Sequence, residues 1–174
     1  MKMLPFILEY LKLKENILIS MENLFMKNNL LIDELRPEYI DAIYEIETLS
    51  FALPWSKDSL IKEIDNKNAH YCVGILNGEV IGYIGLWEII DEGHITNIAI
   101  HPKFRGHGFG KILLSEAINY CKNNNFFGIT LEVRVSNTIA INLYESLGFV
   151  NCGIRKKFYT DNNEDGIIMW KYFR

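Results

Sequence analysis

The chain has no excess of basic residues. Eighteen Lys and Arg stand against 22 Asp and Glu, a formal net charge of −4. A broad nucleic-acid-binding surface carries a basic excess, so direct nucleic-acid binding is not expected. Cysteines are few: Cys72, Cys121 and Cys152 lie far apart, without a C-x-x-C, and an odd number cannot pair completely. Cys72 and Cys152 fall in apolar runs and Cys121 in a helical one, so all three are expected as buried, reduced thiols of a cytoplasmic protein. His70, His94, His101 and His107 form no ligand pair, which leaves no metal site to expect. No apolar run approaches the roughly 20 residues that span a bilayer, so no membrane association is expected. The apolar start is interrupted by Pro5 and Glu9, and no small-residue cleavage pattern follows, unlike a secretory signal. Internal repeats and low-complexity tracts are missing too.

What remains is an ordinary globular composition. The 174 residues, 49% hydrophobic and 23% charged, suffice for one domain with a substantial core. Residues 1–28 differ from the rest. Leu4, Ile7, Leu8, Leu11, Ile17, Leu18 and Met21 have partial helical periodicity, with lysines between them. This stretch reads as an N-terminal extension: an appended amphipathic helix, a partner-binding segment, or a tail upstream of the true start. A tail or loosely docked helix, dispensable for folding, is the preferred expectation.

From residue 29 the pattern becomes regular. A short strand at Leu30–Ile32 precedes a helix opened by Pro37, which is tolerated in a first turn. An aromatic loop, Phe51 to Trp55, leads to a second helix capped by Ser56. Strands at 71–76 and 79–90 flank Asn77-Gly78, a strong hairpin turn. A strand at 93–100, a helix at 111–121, a strand at 128–133, a helix capped by Ser136 or Asn137 and ended by Gly148, and strands at 149–154 and 166–172 complete the order. This is an α/β chain with a mixed sheet: an antiparallel meander followed by a crossover to a parallel strand. The polar stretch Asp161 to Gly166 lacks the spacing of a calcium loop and reads as a solvated hairpin tip.

The segment Ile98 to Lys111 is a strand end, a proline, a basic glycine-rich loop and a helix start. Glycines admit close backbone approach, and a helix start offers unpaired N–H groups to phosphate. A Walker A loop does not fit: Gly106 to Gly110 is one residue short and Ile112 stands where a hydroxyl is needed. A Rossmann loop does not fit either, since Gly106, Gly108 and Gly110 read G-x-G-x-G. Arg105, Gly108 and Gly110 satisfy [QR]-x-x-G-x-[GA].

That pattern, together with Leu131-Glu132-Val133-Arg134 and Asn142-Leu143-Tyr144-Glu145-Ser146-Leu147-Gly148-Phe149, resembles the GNAT acyltransferases, and among them the RimI-type N-terminal acetyltransferases. Pro54-Trp55-Ser56 resembles a family segment beside the peptide site. The likeness runs from Leu30 to Phe173 and gives residues 29–174 as the acetyltransferase domain. It implies a seven-stranded mixed sheet flanked by four helices, splayed where acetyl-CoA binds. It implies a substrate too, the N-terminal alanine of the eighteenth protein of the small ribosomal subunit; another N-terminus, a lysine or a small amine is the alternative acceptor, and a non-catalytic acyl-CoA-binding module the alternative of another class.

By the same resemblance Glu132 is the general base and Tyr144 the general acid. Ile98, Ala99 and Ile100 would pair with the pantetheine arm, Ile100 N–H serving as the oxyanion donor. Arg105, Gly106, His107, Gly108, Phe109, Gly110 and Lys111 would cradle the pyrophosphate, and Asn137 would hold the pantetheine. Trp55 and Tyr159 would bound the acceptor. No cysteine sits in an activating motif, so direct transfer without an acyl-enzyme is expected. Plainer roles stay open: Glu132 as a solvated strand residue, Tyr144 as core, Arg105 and Lys111 as surface charges, Trp55 and Tyr159 as core or lid aromatics. Gly106 and His107 stand where the family often has basic residues.

Overall fold

Alternate residues of one central strand belong to different cores, and this sets the layers of the molecule. In a computed structural model, which describes residues 4–174, the order is α1 (Leu4–Asn28), β1 (Leu30–Glu34), α2 (Ile40–Ser50), α3 (Lys57–Ile64), β2 (Ala69–Leu76), β3 (Glu79–Ile89), β4 (Glu92–Ile100), α4 (Phe109–Asn123), β5 (Gly128–Arg134), α5 (Thr138–Ser146), β6 (Val150–Tyr159) and β7 (Glu164–Tyr172). On β3, Tyr83 packs with Ile43, Ile46 and Leu60 of α2 and α3, whereas Ile84 packs with Leu113, Leu114 and Tyr144 of α4 and α5. Successive strand side chains point to opposite faces, so the helices cover both faces of one sheet.

The sheet order is β1-β2-β3-β4-β5-β7-β6. β1 to β4 form the antiparallel meander, and β5 lies parallel to β4 after the α4 crossover. β7 inserts between β5 and β6, leaving β6 at the edge. Asn77 and Gly78 both take positive φ, as a tight hairpin between β2 and β3 requires. Ser56 Oγ accepts the Ser59 N–H to cap α3, and Asn137 Oδ1 accepts the Ala140 N–H to cap α5. Pro37 opens a 3-10 turn, Pro37–Tyr39, that runs directly into α2, and Arg36 ahead of the proline is extended.

Two expectations need correction. Cys152 is exposed, since it sits on the edge strand β6; Cys72 and Cys121 are buried, and all three thiols are free. β6 runs on to Tyr159, well past Ile154, with an irregularity between Arg155 and Tyr159 at which Lys157 takes positive φ. The polar stretch 161–166 holds the β6–β7 hairpin tip, exposed at Asp161 to Asn163, and Arg134 binds it. The N-terminal stretch is one 25-residue helix. Its Leu11, Ile17, Leu18 and Met21 are exposed, and Met26 is where it packs against the sheet layer, beside Phe104, Phe109 and Ile112. Residues 1–3 of the extension lie outside the described residues. No described helix is long and apolar enough to cross a membrane.

Candidate active site

β4 and β5 pair over only three positions, Glu92 to His94 with Gly128 to Thr130. A register shift in β3–β4 falls next to this point, between Gly85 and Leu86, leaving Thr96 as the extra residue. The Thr96 hydroxyl is 2.8 Å from Tyr71 Oη, which pins the bulge. A bulge bends its strand and ends pairing, so beyond it the two strands diverge. The gap opens into a cleft of about 650 Å³ lined by Asn97, Ile98, Glu132, Asn137, Tyr144 and Tyr159, among others.

The open edge of β4 has a definite polarity. His101 N–H donates to Ile81 O, on the β3 side, whereas Ile100 O accepts from Arg105 Nε at 2.9 Å, away from β3. By strand alternation the N–H groups of Ile98 and Ile100 face the gap, and that of Ala99 faces β3. An added strand-like ligand would find donors at Ile98 and Ile100.

The glycine-rich loop follows at once. Gly108 caps α4 in the left-handed conformation (φ 84°), accessible to glycine without a Cβ penalty. Phe109 is buried and anchors the turn. The N–H groups of Gly106, Gly108, Phe109 and Gly110 have no acceptor among the described residues. Four donors at a helix start suit a pyrophosphate. Arg105 is placed differently from the expectation: its guanidinium turns back to Ile100 O and to Ser50 Oγ at 2.9 Å, and so stitches the loop to β4 and α2. Lys111 is exposed on the first turn of α4.

Glu132 and Tyr144 line the same cleft from β5 and α5. Tyr144 is buried, 5.9 Å from Phe149 between ring centroids, and burial pushes its phenol above the ordinary tyrosine range. Its hydroxyl donates to no described group. Glu132 is half-buried and accepts from Arg155 Nη1 at 2.6 Å. Trp55 and Tyr159 lie on the cleft rim with Phe51, Leu53 and Trp87, and the Trp55 and Trp87 rings are 6.1 Å apart. Burial pushes the Tyr159 phenol up to about 12, with Arg134 pulling it back. The Arg134 guanidinium carbon lies 3.9 Å from that ring's centroid.

Three further groups escape sequence reasoning. Glu47, on α2, is fully buried. It accepts from the Trp55 N–H at 2.8 Å, from Asn97 Nδ2 at 2.8 Å and from the Tyr83 hydroxyl. Burial raises its pKa, and the Trp55 and Asn97 donors offset part of that shift. A glutamate on the apolar face of a helix, one position after Ile46, was the available signal. Arg155, bound to Glu132, comes from β6, two strands away in sheet order. Arg134 reaches Asp161 at 2.8 Å, Asn162 at 3.0 Å and Glu164 at 3.1 Å, holding the β6–β7 tip beside the cleft. Glu164 also accepts the Ser136 N–H at 2.9 Å, and its carboxyl is held down at about 2 chiefly by Ser136, with Asn162 and Arg134 adding to it. Among the described residues no group of His, Cys, Asp and Glu converges to hold a metal ion.

Residues 40–149 match the model of the Acetyltransferase (GNAT) family. A Bacillus subtilis protein described as a candidate ribosomal protein bS18-alanine N-acetyltransferase is 46% identical over 146 residues, covering 83% of this chain and 97% of that relative. The crystal structure of the ribosomal-protein-S18-alanine N-acetyltransferase from Escherichia coli superposes with a TM-score of 0.76 at 33% identity, covering 82% of this chain and 93% of the other. A Bacillus anthracis crystal structure described as a candidate streptothricin acetyltransferase in complex with acetyl coenzyme A superposes at TM-score 0.70 and 27% identity, covering 83% of this chain and 98% of the other.

Proposed function

The chain belongs to the GNAT family of acetyltransferases, and on that footing we propose that it transfers the acetyl group of acetyl-CoA to the free N-terminal alanine of ribosomal protein bS18, in the cytoplasm. One observation carries this: Glu132 and Tyr144, from different elements, face one cleft that opens where β4 parts from β5. The relatives named for this activity match over nearly their whole length.

Acetyl-CoA supplies the activated acyl thioester; the protein holds it and manages protons. The N–H groups of Ile98 and Ile100 bind the pantetheine arm as an extra strand would, with Asn137 on the opposite wall. Ile100 N–H, at the end of the open edge, steadies the carbonyl oxygen as it gains charge. The loop amides from Gly106 to Gly110, with Lys111 beside them, take the pyrophosphate. Glu132 accepts a proton from the incoming ammonium, directly or through water, and Tyr144 gives one to the departing sulfur. An α-amino group has a pKa of about 7.7–8.0 against about 10.4 for lysine, so an N-terminus is far more easily deprotonated near neutral pH. The aromatic rim of Trp55 and Tyr159 flanks the acceptor's first residue.

The test is thiol release from acetyl-CoA with a panel of acceptors: a peptide with the bS18 N-terminus, the same peptide with its α-amine blocked, lysine peptides and polyamines. Turnover confined to the free N-terminus is expected. Turnover with lysine or polyamines alone would overturn the substrate while leaving the family intact.

A further inference from the structure

We propose that Lys27, on the last turn of α1, is a pyrophosphate-binding residue of the acetyl-CoA site. The proposal rests on the assignment of the loop from Arg105 to Lys111 as the phosphate cradle.

Position is the first ground. The Lys27 Cε and Nζ atoms each lie 3.1 Å from the point where a Cβ on Gly108 would stand. The ammonium is therefore packed against the residue that caps α4, beside the unpaired N–H groups. Anchoring is the second. The next residue back, Met26, packs against the buried cluster of Leu76, Ile81 and Phe109, to which Phe104 and Ile112 of the loop and α4 also pack. Asn29 closes the helix, its N–H donating to Phe25 O and Met26 O at 3.2 Å and its side chain to Phe25 O at 2.9 Å. Leu30 then enters β1. Met26 before it and Leu30 after it both pack against the cluster that contains Phe109, so Lys27 is held at the loop from both sides in sequence.

Charge is the third ground. A pyrophosphate brings two negative charges to a protein whose own net charge is −4. The loop has Gly106 and His107 at its middle, and the Arg105 guanidinium is engaged by Ile100 O and Ser50 Oγ. Lys27 makes no ion pair with any described residue. A compact ammonium with three donors is well suited to phosphate oxygens. The appended helix then acts as an arm that supplies, from outside the loop, a cation that the loop does not carry at Gly106.

The test is equilibrium binding to the full chain by calorimetry, with CoA, dephospho-CoA and pantetheine, for wild type and for Lys27→Ala, Lys27→Glu and Lys27→Arg. Lys27→Ala is expected to weaken CoA and dephospho-CoA alike by roughly tenfold, a typical loss for one charge-assisted contact at a partly exposed site. Lys27→Glu weakens them further, Lys27→Arg restores most of the affinity, and pantetheine binding does not change. The difference between variants shrinks with added salt. Unchanged CoA affinity in Lys27→Ala and Lys27→Glu overturns the proposal, and a loss seen with CoA but not dephospho-CoA moves Lys27 to the other phosphate and overturns it too. Lys111→Ala is the control for the loop. If it weakens CoA while the Lys27 variants do not, Lys27 alone is wrong. If no variant matters and wild type binds pantetheine as tightly as CoA, the loop assignment itself fails.

Discussion

At Tyr144, burial acts on the proton that the proposed general acid has to hold. Its ring is packed against Phe149, and burial keeps the phenol protonated above the ordinary tyrosine range. A proton donor of that kind stays loaded through neutral and mildly alkaline pH. Tyr144→Phe is expected to keep acetyl-CoA affinity and lower kcat by about 10²–10⁴-fold, the usual contribution of a general acid. Stopped-flow turnover beside calorimetric binding checks this, and an unchanged kcat removes Tyr144 from the mechanism. Glu47 acts differently, since it lies beneath the site. Its two carboxylate oxygens serve the Trp55 N–H, the Asn97 amide and the Tyr83 hydroxyl. Glu47→Gln has a single acceptor oxygen and must release part of that set. The expected result is a raised KM for the acceptor peptide, roughly fivefold for the loss of about 1 kcal/mol of positioning, with CoA affinity unchanged. Glu47→Ala strands all three donors in the interior and should cost about 3 kcal/mol in urea unfolding.

The β6–β7 hairpin illustrates what one arginine does for a whole element. Arg134, at the end of β5, ties down Asp161, Asn162 and Glu164, and Glu164 in turn holds the Ser136 N–H at the turn into α5. The tip and the α5 cap are therefore one unit beside the cleft. The Glu164 carboxyl is depressed from 4.5 to about 2. A depressed carboxylate contributes stability that is fully present above its unfolded value and lost as pH falls through the folded one. Melting temperature is thus expected to drop between pH 4.5 and 2, with a shallower drop in Glu164→Gln. Parallel acid profiles for the two proteins would show that the clamp does not contribute. Helix α1 makes the opposite case, since its side chains from Leu11 to Phe25 are mostly exposed. Removal of residues 1–20 is expected to leave the melting temperature nearly unchanged, whereas a cut after Asn28 also removes Met26 from its contacts with Phe109.

The molecule as a whole is a sheet held together weakly at its middle. β5 pairs with β7 at seven positions but with β4 at only three. A ligand that fills the gap supplies the missing partners for β4. Acetyl-CoA at 100 times its Kd should add about 2.7 kcal/mol to stability by mass action. Hydrogen exchange locates the effect: the amides of Ile98 and Ile100 should gain protection on binding, while that of Ala99, turned to β3, changes little. Equal protection at all three, or none, would mean that the ligand does not lie along this edge.

The order of strands and helices from residue 29 onward was legible because each boundary has a local cause: the Asn77-Gly78 turn, the Ser56 and Asn137 caps, the proline after Ile100. The candidates Glu132, Tyr144 and Trp55 could be named from short motifs for the same reason, since a motif is a local arrangement. Helix periodicity likewise pointed to α1. The partners of those residues depend on contacts between distant segments. Arg155 meets Glu132 because β7 inserts between their strands, and Cys152 is exposed because β6 ends as the edge. Glu47 becomes a hub because α2 lays it across Trp55, Tyr83 and Asn97, and Lys27 reaches Gly108 only because α1 docks by its last turn. Local propensity and spacing act over a few residues and are written along the chain. Pairing partners, burial of a charge and the aim of a side chain arise from the packing of remote elements, and only the folded molecule decides them.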